Sequence, residues 1–420
     1  MKMRSDGRSR TTVAIGLAGA WLVVTACRGS NPGGTGDPMD RFTADLNFLK
    51  QHSNIVVLAD PGGPARVAVA PQYQGRVMTS TTGGTGAPSF GWIGRAAIEA
   101  GQKQPHMNVF GGEDRFWLGP EGGQYALYFK PGDPFDLDHW QTPEPFDWGA
   151  WDVTSQSPIS VSFHKRMALV NYANTRIDLD VDRTVRLLKA AEVATMLGTS
   201  PGSVQMVAFE SENVVTNNGQ ARWQPDSGLV SIWILGQFTP SPQTTITIPF
   251  APGPESTMGP VVNDKYFGAV PPDRLVMKGS SIFFKGDGQY RSKIGLPPRR
   301  AFDMAGSYDA AAHVLTLVQY TLPAGASRYV NSMWEIQQEP YKGDVINSYN
   351  DGPAAPGKPP LGPFYELETS SPALELAPGE RYTHVHRTLH LSGSDADLDR
   401  IARATLKVGL ADISAAFASR

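Results

Sequence analysis

Short strand-like runs cut by glycine and proline constrain this chain more than any other feature of its sequence. Between residues 124 and 338, the segments 125–129, 159–163, 177–188, 204–210, 229–238, 244–248, 282–285, 314–322 and 329–337 each fit a strand bounded by turn residues. Upstream, 55–58, 66–70 and 76–79 follow the same pattern around Pro61-Gly-Gly and Pro71-Gln-Tyr-Gln-Gly turns. With 44 Gly and 34 Pro in 420 residues, long helices have little room. The strands outnumber what a small sandwich holds, so the expectation is all-β, one large sandwich of two long antiparallel sheets.

Helical spacing is confined to a few places. Asp37-Pro38 reads as the opening of a helix carrying Met39, Phe42, Leu46 and Leu49, and 90–100 and 184–197 have helical character. At the other end, Leu398, Ile401, Leu410, Ile413 and Phe417 share a helical period over 395–417, opened by the capping box Ser394-x-x-Asp397. No repeat or linker divides residues 38–420, which read as a single domain with N- and C-terminal helices.

The N-terminus reads as an address. Lys2, Arg4, Arg8 and Arg10 precede an apolar stretch from Val13 to Ala26, too short for an ordinary membrane span. Val24-Thr25-Ala26-Cys27 looks like a bacterial lipobox, with Cys27, the only cysteine in the chain, as the lipidated first residue after cleavage. Residues 1–26 are then a lipoprotein signal peptide and 27–37 a flexible tether. The expected location is the cell envelope, held to a membrane through Cys27.

A net charge of -3 gives no electrostatic footprint for nucleic acid, and no nucleic-acid partner is expected. Glu366 and Glu368 sit two apart in a strand-like run, so both carboxylates take one face, about 7 Å apart, while Leu367 and Thr369 take the other. Two like charges at that spacing tend to raise one proton affinity, which suits a base working near neutral pH; solvent-facing acids on an outer strand are the bland alternative. In the glycine-bracketed run 108–123, Arg115 could fork onto hydroxyls or a carboxylate and Trp117 could stack on a sugar ring, or both could be ordinary packing. Trp140, Trp148 and Trp151 stand in loops, as a binding rim would. Arg291 and Lys293 share one face of a short strand and could hold a carboxylate, a phosphate or sugar hydroxyls.

His384, His386 and His390 alternate with Val385, Leu389 and Leu391, which reads better as a half-buried strand than as a zinc site. Asp178, Asp180 and Asp182 lack the glycine and glutamate of a calcium loop. No metal and no cofactor are expected, and no nucleophile elbow, phosphate loop or dinucleotide fingerprint is present.

Glu366-Leu-Glu-Thr, followed by Leu376-Ala-Pro-Gly-Glu-Arg-Tyr and a strand, resembles the C-terminal signature of galactose mutarotase-like proteins, the aldose 1-epimerase superfamily. Asn108-x-x-Gly-Gly resembles its sugar-site loop. Ser89-Phe-Gly-Trp-Ile, Gly111-Gly-Glu-Asp-Arg-Phe-Trp, Arg291-Ser-Lys-Ile-Gly and Ser348-Tyr-Asn-Asp-Gly-Pro look like an uncharacterised bacterial branch with secreted and lipoprotein members. The resemblance covers about residues 40–418 and implies a β-supersandwich with a carbohydrate-sized cleft. It implies Glu368 as the catalytic base. The candidate ligand-binding residues are Asn108, Glu113, Asp114, Arg115, Trp117, Trp233, Arg291, Asn350 and Asp351.

The chain departs from that pattern where a proton donor should be. Phe110 stands where mutarotases carry a histidine, and the strand of their second histidine corresponds to Ser231-Ile-Trp-Ile-Leu-Gly-Gln-Phe, which offers Trp233 and Gln237. Glu366, His106 and Lys293 are the stand-ins for donor or pKa partner, with Arg291 behind them. The expected function is a carbohydrate-binding lipoprotein of mutarotase or epimerase type. A non-catalytic glycan-binding protein and a polysaccharide lyase or hydrolase are the alternatives.

Overall fold

The computed structural model describes residues 40–418 other than 85 and 87. The expected signal peptide, tether and lipidated Cys27 lie outside the described residues, as do Asp37 and Met39. The alternating sequence folds into antiparallel sheets, as expected. Ten strands form one sheet, in the order Leu275–Lys278, Ser281–Lys285, Thr244–Pro249, Met304–Asp309, Val314–Tyr320, Arg381–Ser392, Gln205–Asn217, Arg176–Leu187, Ser160–Val170 and Asp152–Ser157. Five form a second, ordered Ser292–Leu296, Ile346–Asn350, Tyr365–Ser370, Ser231–Phe238 and Arg115–Gly119. Val56–Ala59, Arg66–Ala70 and Arg76–Thr81 make a third, three-stranded sheet.

Alternation decides what each face of the five-stranded sheet meets. Phe116, Leu118, Ile232, Ile234, Ile294, Ile346 and Leu367 are buried in the main cores, together with Phe163, Val181 and Phe209 of the ten-stranded sheet. The far face of the ten-stranded sheet, with Leu315, Leu317, Leu389 and Leu391, is covered by Ala190–Leu197, Asp395–Thr405 and Leu410–Ser414. The outer face of the five-stranded sheet is left to carry the site.

Between the sheets lies a layer of buried polar groups. Thr369 Oγ1 meets both His384 Nε2 at 3.0 Å and His386 Nδ1 at 2.9 Å, while His390 lies between Thr316 Oγ1 and Glu113 Oε2. One ring nitrogen of each of the first two histidines, His384 Nδ1 and His386 Nε2, has no partner among the described residues. Burial holds the His384 imidazole down to about 3 and His386 down to about 4, the latter partly relieved by Asp114. Both therefore stay neutral in the fold and gain a proton near pH 6.5 only when it opens. Because the unfolded chain binds more protons between those values and 6.5, their contribution is complete above pH 6.5 and is lost as pH falls toward 4. Relative to a His384→Gln/His386→Asn variant, the wild-type chain should lose about 1.4 kcal/mol per histidine per pH unit across that window. Urea titrations at pH 7 and pH 5 measure the difference.

Several local expectations are corrected. The first helix is Arg41–His52, capped by Asp40, whose carboxylate accepts from Thr43 N at 2.7 Å; Asp37 is not its cap. Helix 90–100 shortens to Arg95–Ala100, because Phe90–Trp92 is held extended beside Ser231–Phe238 by Trp92 N donating to Gln237 O. Segment 184–197 divides into the end of a strand at Leu187 and a helix from Ala190. The C-terminal helix breaks near Lys407, which has φ 63°. Segments 125–129 and 329–337 are not strands. The first is tied by its own loop, with Leu127 N donating to Pro120 O and Tyr128 Oη to Leu118 O. In the second, Gln337 Nε2 donates to Asn331 O and Met333 O, a side-chain competitor for the backbone ladder.

Candidate functional site

Residues opposed in an antiparallel ladder share a face, so the register of the five-stranded sheet writes out its outer surface. Lys293, Tyr349, Glu366 and Gln237 form one row. Asn347, Glu368, Leu235 and Arg115 form the next, and Ser370, Trp233 and Trp117 a third. Acids and bases from three strands thus share one surface.

They pair with each other. Arg115 Nη2 forms an ion pair with Glu366 Oε1, and both side chains are almost wholly buried. Lys293 Nζ donates to Glu368 Oε2 at 3.0 Å, and Trp233 Nε1 donates to the same oxygen at 2.9 Å. The Arg115 guanidinium lies over the Trp117 ring, 4.4 Å from its centroid, and Lys293 Nζ lies 4.7 Å from that of Trp233. The tryptophans thus prop the cations, each contact worth about 0.5–2 kcal/mol.

Above this surface is a cavity of about 530 Å³. Its wall includes Glu366, Arg115, Lys293, Gln237, Trp117 and Trp233 from the sheet. Loops add His106, Glu121, Trp140, Phe267, Arg291, Trp334 and Asp351. Residues 352–361 cross one side as a Pro- and Gly-rich strap, closed at its neck by Gly362 N donating to Asp351 Oδ2 at 2.8 Å.

The residues expected at the site divide on inspection. Arg115, Trp117, Trp233, Arg291, Lys293, Glu366, Asp351 and the exposed rim residue His106 line the cavity. Glu368 does not: it is fully buried beneath Trp233 and Lys293. Trp117 is 3% exposed with Arg115 over its ring, so it supports that guanidinium instead of offering a stacking face.

Glu113, Asp114, Asn108 and Asn350 are structural. Glu113 accepts from Ser80 Oγ and faces His390, and Asp114 pairs with Arg183 between the sheets. Asn108 donates to Asp147 Oδ2, and Asn350 ties the 287–290 turn through Gly288 N and Tyr290 O. None of the four lines the cavity, and each is tied to the fold by the bonds named.

Sequence reasoning missed Glu121, a carboxyl on the cavity wall. Its signal was the pair of glycines that follows it: a Cβ on Gly122 would lie 2.4 Å from Met333 O, so only glycine lets the 331–337 segment pass there. Trp334 and Phe267 likewise come from loops with no pattern to mark them.

Burial sets the proton affinities. It pushes the Glu366 carboxyl up, against the pull of Arg115 and with the help of the charge on Glu368. Glu121 is also raised by burial, with Lys293 opposing. For Lys293, burial acts downward, but Glu368, Glu121 and Glu366 outweigh it and hold the ammonium above its usual range. Lys293 is therefore a fixed charge near neutral pH, while Glu366, pushed up to about 8, can exchange a proton there.

Gln237 is 1% exposed and lines the cavity, yet among the described residues neither its amide oxygen nor its nitrogen has a partner. Leaving such a group buried costs about 1–3 kcal/mol, so a ligand hydroxyl is the partner its position favours. Gln237→Leu should raise stability by about 1 kcal/mol while weakening ligand binding. Thermal melts and calorimetric titration read the two effects separately.

No curated protein matches the chain. Among solved structures it is similar to the Slr1438 protein from Synechocystis sp. PCC 6803, at 12% identity and TM-score 0.48, over 81% of this chain and 96% of that one. It is similar to a galactose mutarotase-like protein from Lactobacillus casei, at 11% identity and TM-score 0.46, over 80% and 100%. A galactose mutarotase related enzyme from Lactobacillus acidophilus aligns at 9% identity and TM-score 0.44, over 81% and 98%. At these identities the chemistry of the site has to be argued from its own residues. The model of the Family of unknown function (DUF6786) matches residues 40–417, and the chain belongs to that family.

Proposed function

We propose that the cavity binds a carbohydrate and interconverts its anomers, with Glu366 as the base. The observation that carries this reading is Glu366 itself, a carboxyl on the cavity wall whose proton affinity burial raises. Mutarotation needs a base at the anomeric hydroxyl and an acid at the ring oxygen. Glu366 takes the hydroxyl proton, the bond from the anomeric carbon to the ring oxygen breaks, and the ring oxygen receives a proton from Glu121. Rotation of the open-chain aldehyde and the reverse steps give the other anomer and restore both groups. Arg115 orients Glu366, and Lys293 pairs with Glu368 behind it. The base that the family resemblance implied at Glu368 thus moves, in this reading, two residues along the same strand face, and Glu368 becomes its electrostatic partner.

A specific observation favours a second reading, a glycan-binding protein without catalysis: each acid of the sheet is already paired with a cation. Polarimetry of freshly dissolved α-anomers separates the two. Catalytic amounts of protein should speed the approach to equilibrium for at least one sugar; sugar binding in calorimetry without any such acceleration selects the binding protein.

We further propose that the chain is a lipoprotein of the cell envelope, anchored through Cys27. The lipobox-like Val24-Thr25-Ala26-Cys27 supports this. Palmitate labelling of the wild-type protein, lost in Cys27→Ser, is the expected result; equal labelling of both would refute it.

A further inference from the structure

Arg291 stands apart from the other buried or half-buried cations of the cavity. Arg115 is matched by Glu366 and Lys293 by Glu368, whereas among the described residues the Arg291 guanidinium has neither an ion-pair nor a hydrogen-bond partner. It lies over the Phe267 ring, with Cζ 3.7 Å from the centroid. Stacking engages the face of a guanidinium and leaves the N–H donors at its edge available as a planar fork. Lys358, exposed on the 352–361 strap, lines the same cavity.

Burial raises the proton affinity of Asp351 and Glu121; the Arg291 charge acts on both through space, lowering it, but neither carboxyl forms an ion pair with Arg291. Asp351 is occupied by Tyr349 Oη at 2.8 Å and Gly362 N at 2.8 Å. A half-buried guanidinium whose N–H fork has no directly paired anion beside a cavity is uncommon unless the ligand brings one.

We infer that the sugar held in this cavity carries a carboxylate, a hexuronic acid or the uronosyl end of a glycan, seated on the Arg291 fork. The inference rests on the carbohydrate reading of the cavity. A planar carboxylate matches a guanidinium edge through two parallel hydrogen bonds. One free guanidinium with acids on the same wall suits a monoanion better than a phosphate dianion, which would face Asp351 and Glu121 with a single half-buried counter-charge. The unpartnered amide of Gln237 would serve a neutral hydroxyl of the same ring.

Calorimetric titration of the full protein with glucose, glucuronate, galactose, galacturonate and glucose 6-phosphate at low salt tests this. The expected result is that at least one uronate binds about tenfold or more tightly than its parent hexose. Arg291→Gln should bring that ratio close to one, and Arg291→Lys should restore part of it. If hexoses bind as well as uronates and Arg291→Gln leaves the ratio unchanged, the acidic-sugar inference fails while the carbohydrate reading stands. A preference for the phosphate over both uronates also overturns the carboxylate assignment. If no sugar binds at all, the carbohydrate reading fails and this inference with it.

Discussion

Glu366→Gln should reduce anomer exchange by about 10²- to 10⁴-fold, the usual contribution of a general base. Glutamine keeps the shape and hydrogen-bonding reach of the side chain but cannot accept the hydroxyl proton. Because Glu366 lines the cavity and Glu368 lies beneath it, Glu368→Gln should have the smaller effect on the chemical step. The raised proton affinity of Glu366 also fixes a pH dependence. A base works only when deprotonated, so the rate should fall as pH drops through the neutral range, before any ordinary carboxylate titrates. Glu366→Gln leaves the Arg115 charge buried without its anion, so some loss of stability accompanies the loss of rate. Measuring turnover well below the melting temperature, with sugar affinity determined in parallel, keeps the two apart. A variant that binds sugar yet exchanges anomers at the wild-type rate would remove Glu366 from the mechanism.

The largest effect on stability should come from an ion pair buried between the sheets. Asp114 and Arg183 are both fully buried and paired at 2.5 Å between the sheets. The guanidinium also donates to Asn213 Oδ1, Gly75 O and Asp114 O, so its donors are spread over three neighbours in the fold. Asp114→Ala strands that charge in a water-poor layer, and removing one partner of such a pair costs about 3–5 kcal/mol. Asp182→Ala is the control. Asp182 is mostly exposed and meets only half-exposed His164, so its loss should change stability by about 0.5 kcal/mol or less. Urea unfolding of the two variants should differ several-fold in ΔΔG. Similar values would mean that the Asp114–Arg183 pair is not what holds the sheets together there.

These two sites show what was legible in the sequence and what was not. Period-two alternation placed Glu366 and Glu368 together and Leu367 and Thr369 opposite them, and the register shows that arrangement. The same alternation applied to Asp114-Arg115-Phe116-Trp117 separates Asp114 from Arg115. Reading the charged run as one ligand loop instead put Asp114 on the wrong face. Glu368 and Glu366 could not be ranked by spacing, because which of them reaches the cavity depends on Trp233 and Lys293 lying over one and not the other. Glu121, Phe267 and Trp334 reach the cavity from loops far apart in the chain. Their convergence is a property of long-range packing that no local period encodes.

The most direct test of the account is a crystal structure of the protein with a reducing sugar bound. The account predicts the sugar in the cavity above the five-stranded sheet, its anomeric hydroxyl about 2.6–3.2 Å from the Glu366 carboxylate and its ring oxygen toward Glu121. A sugar bound elsewhere, or one in the cavity with its anomeric carbon turned away from Glu366 toward the mouth, would contradict it.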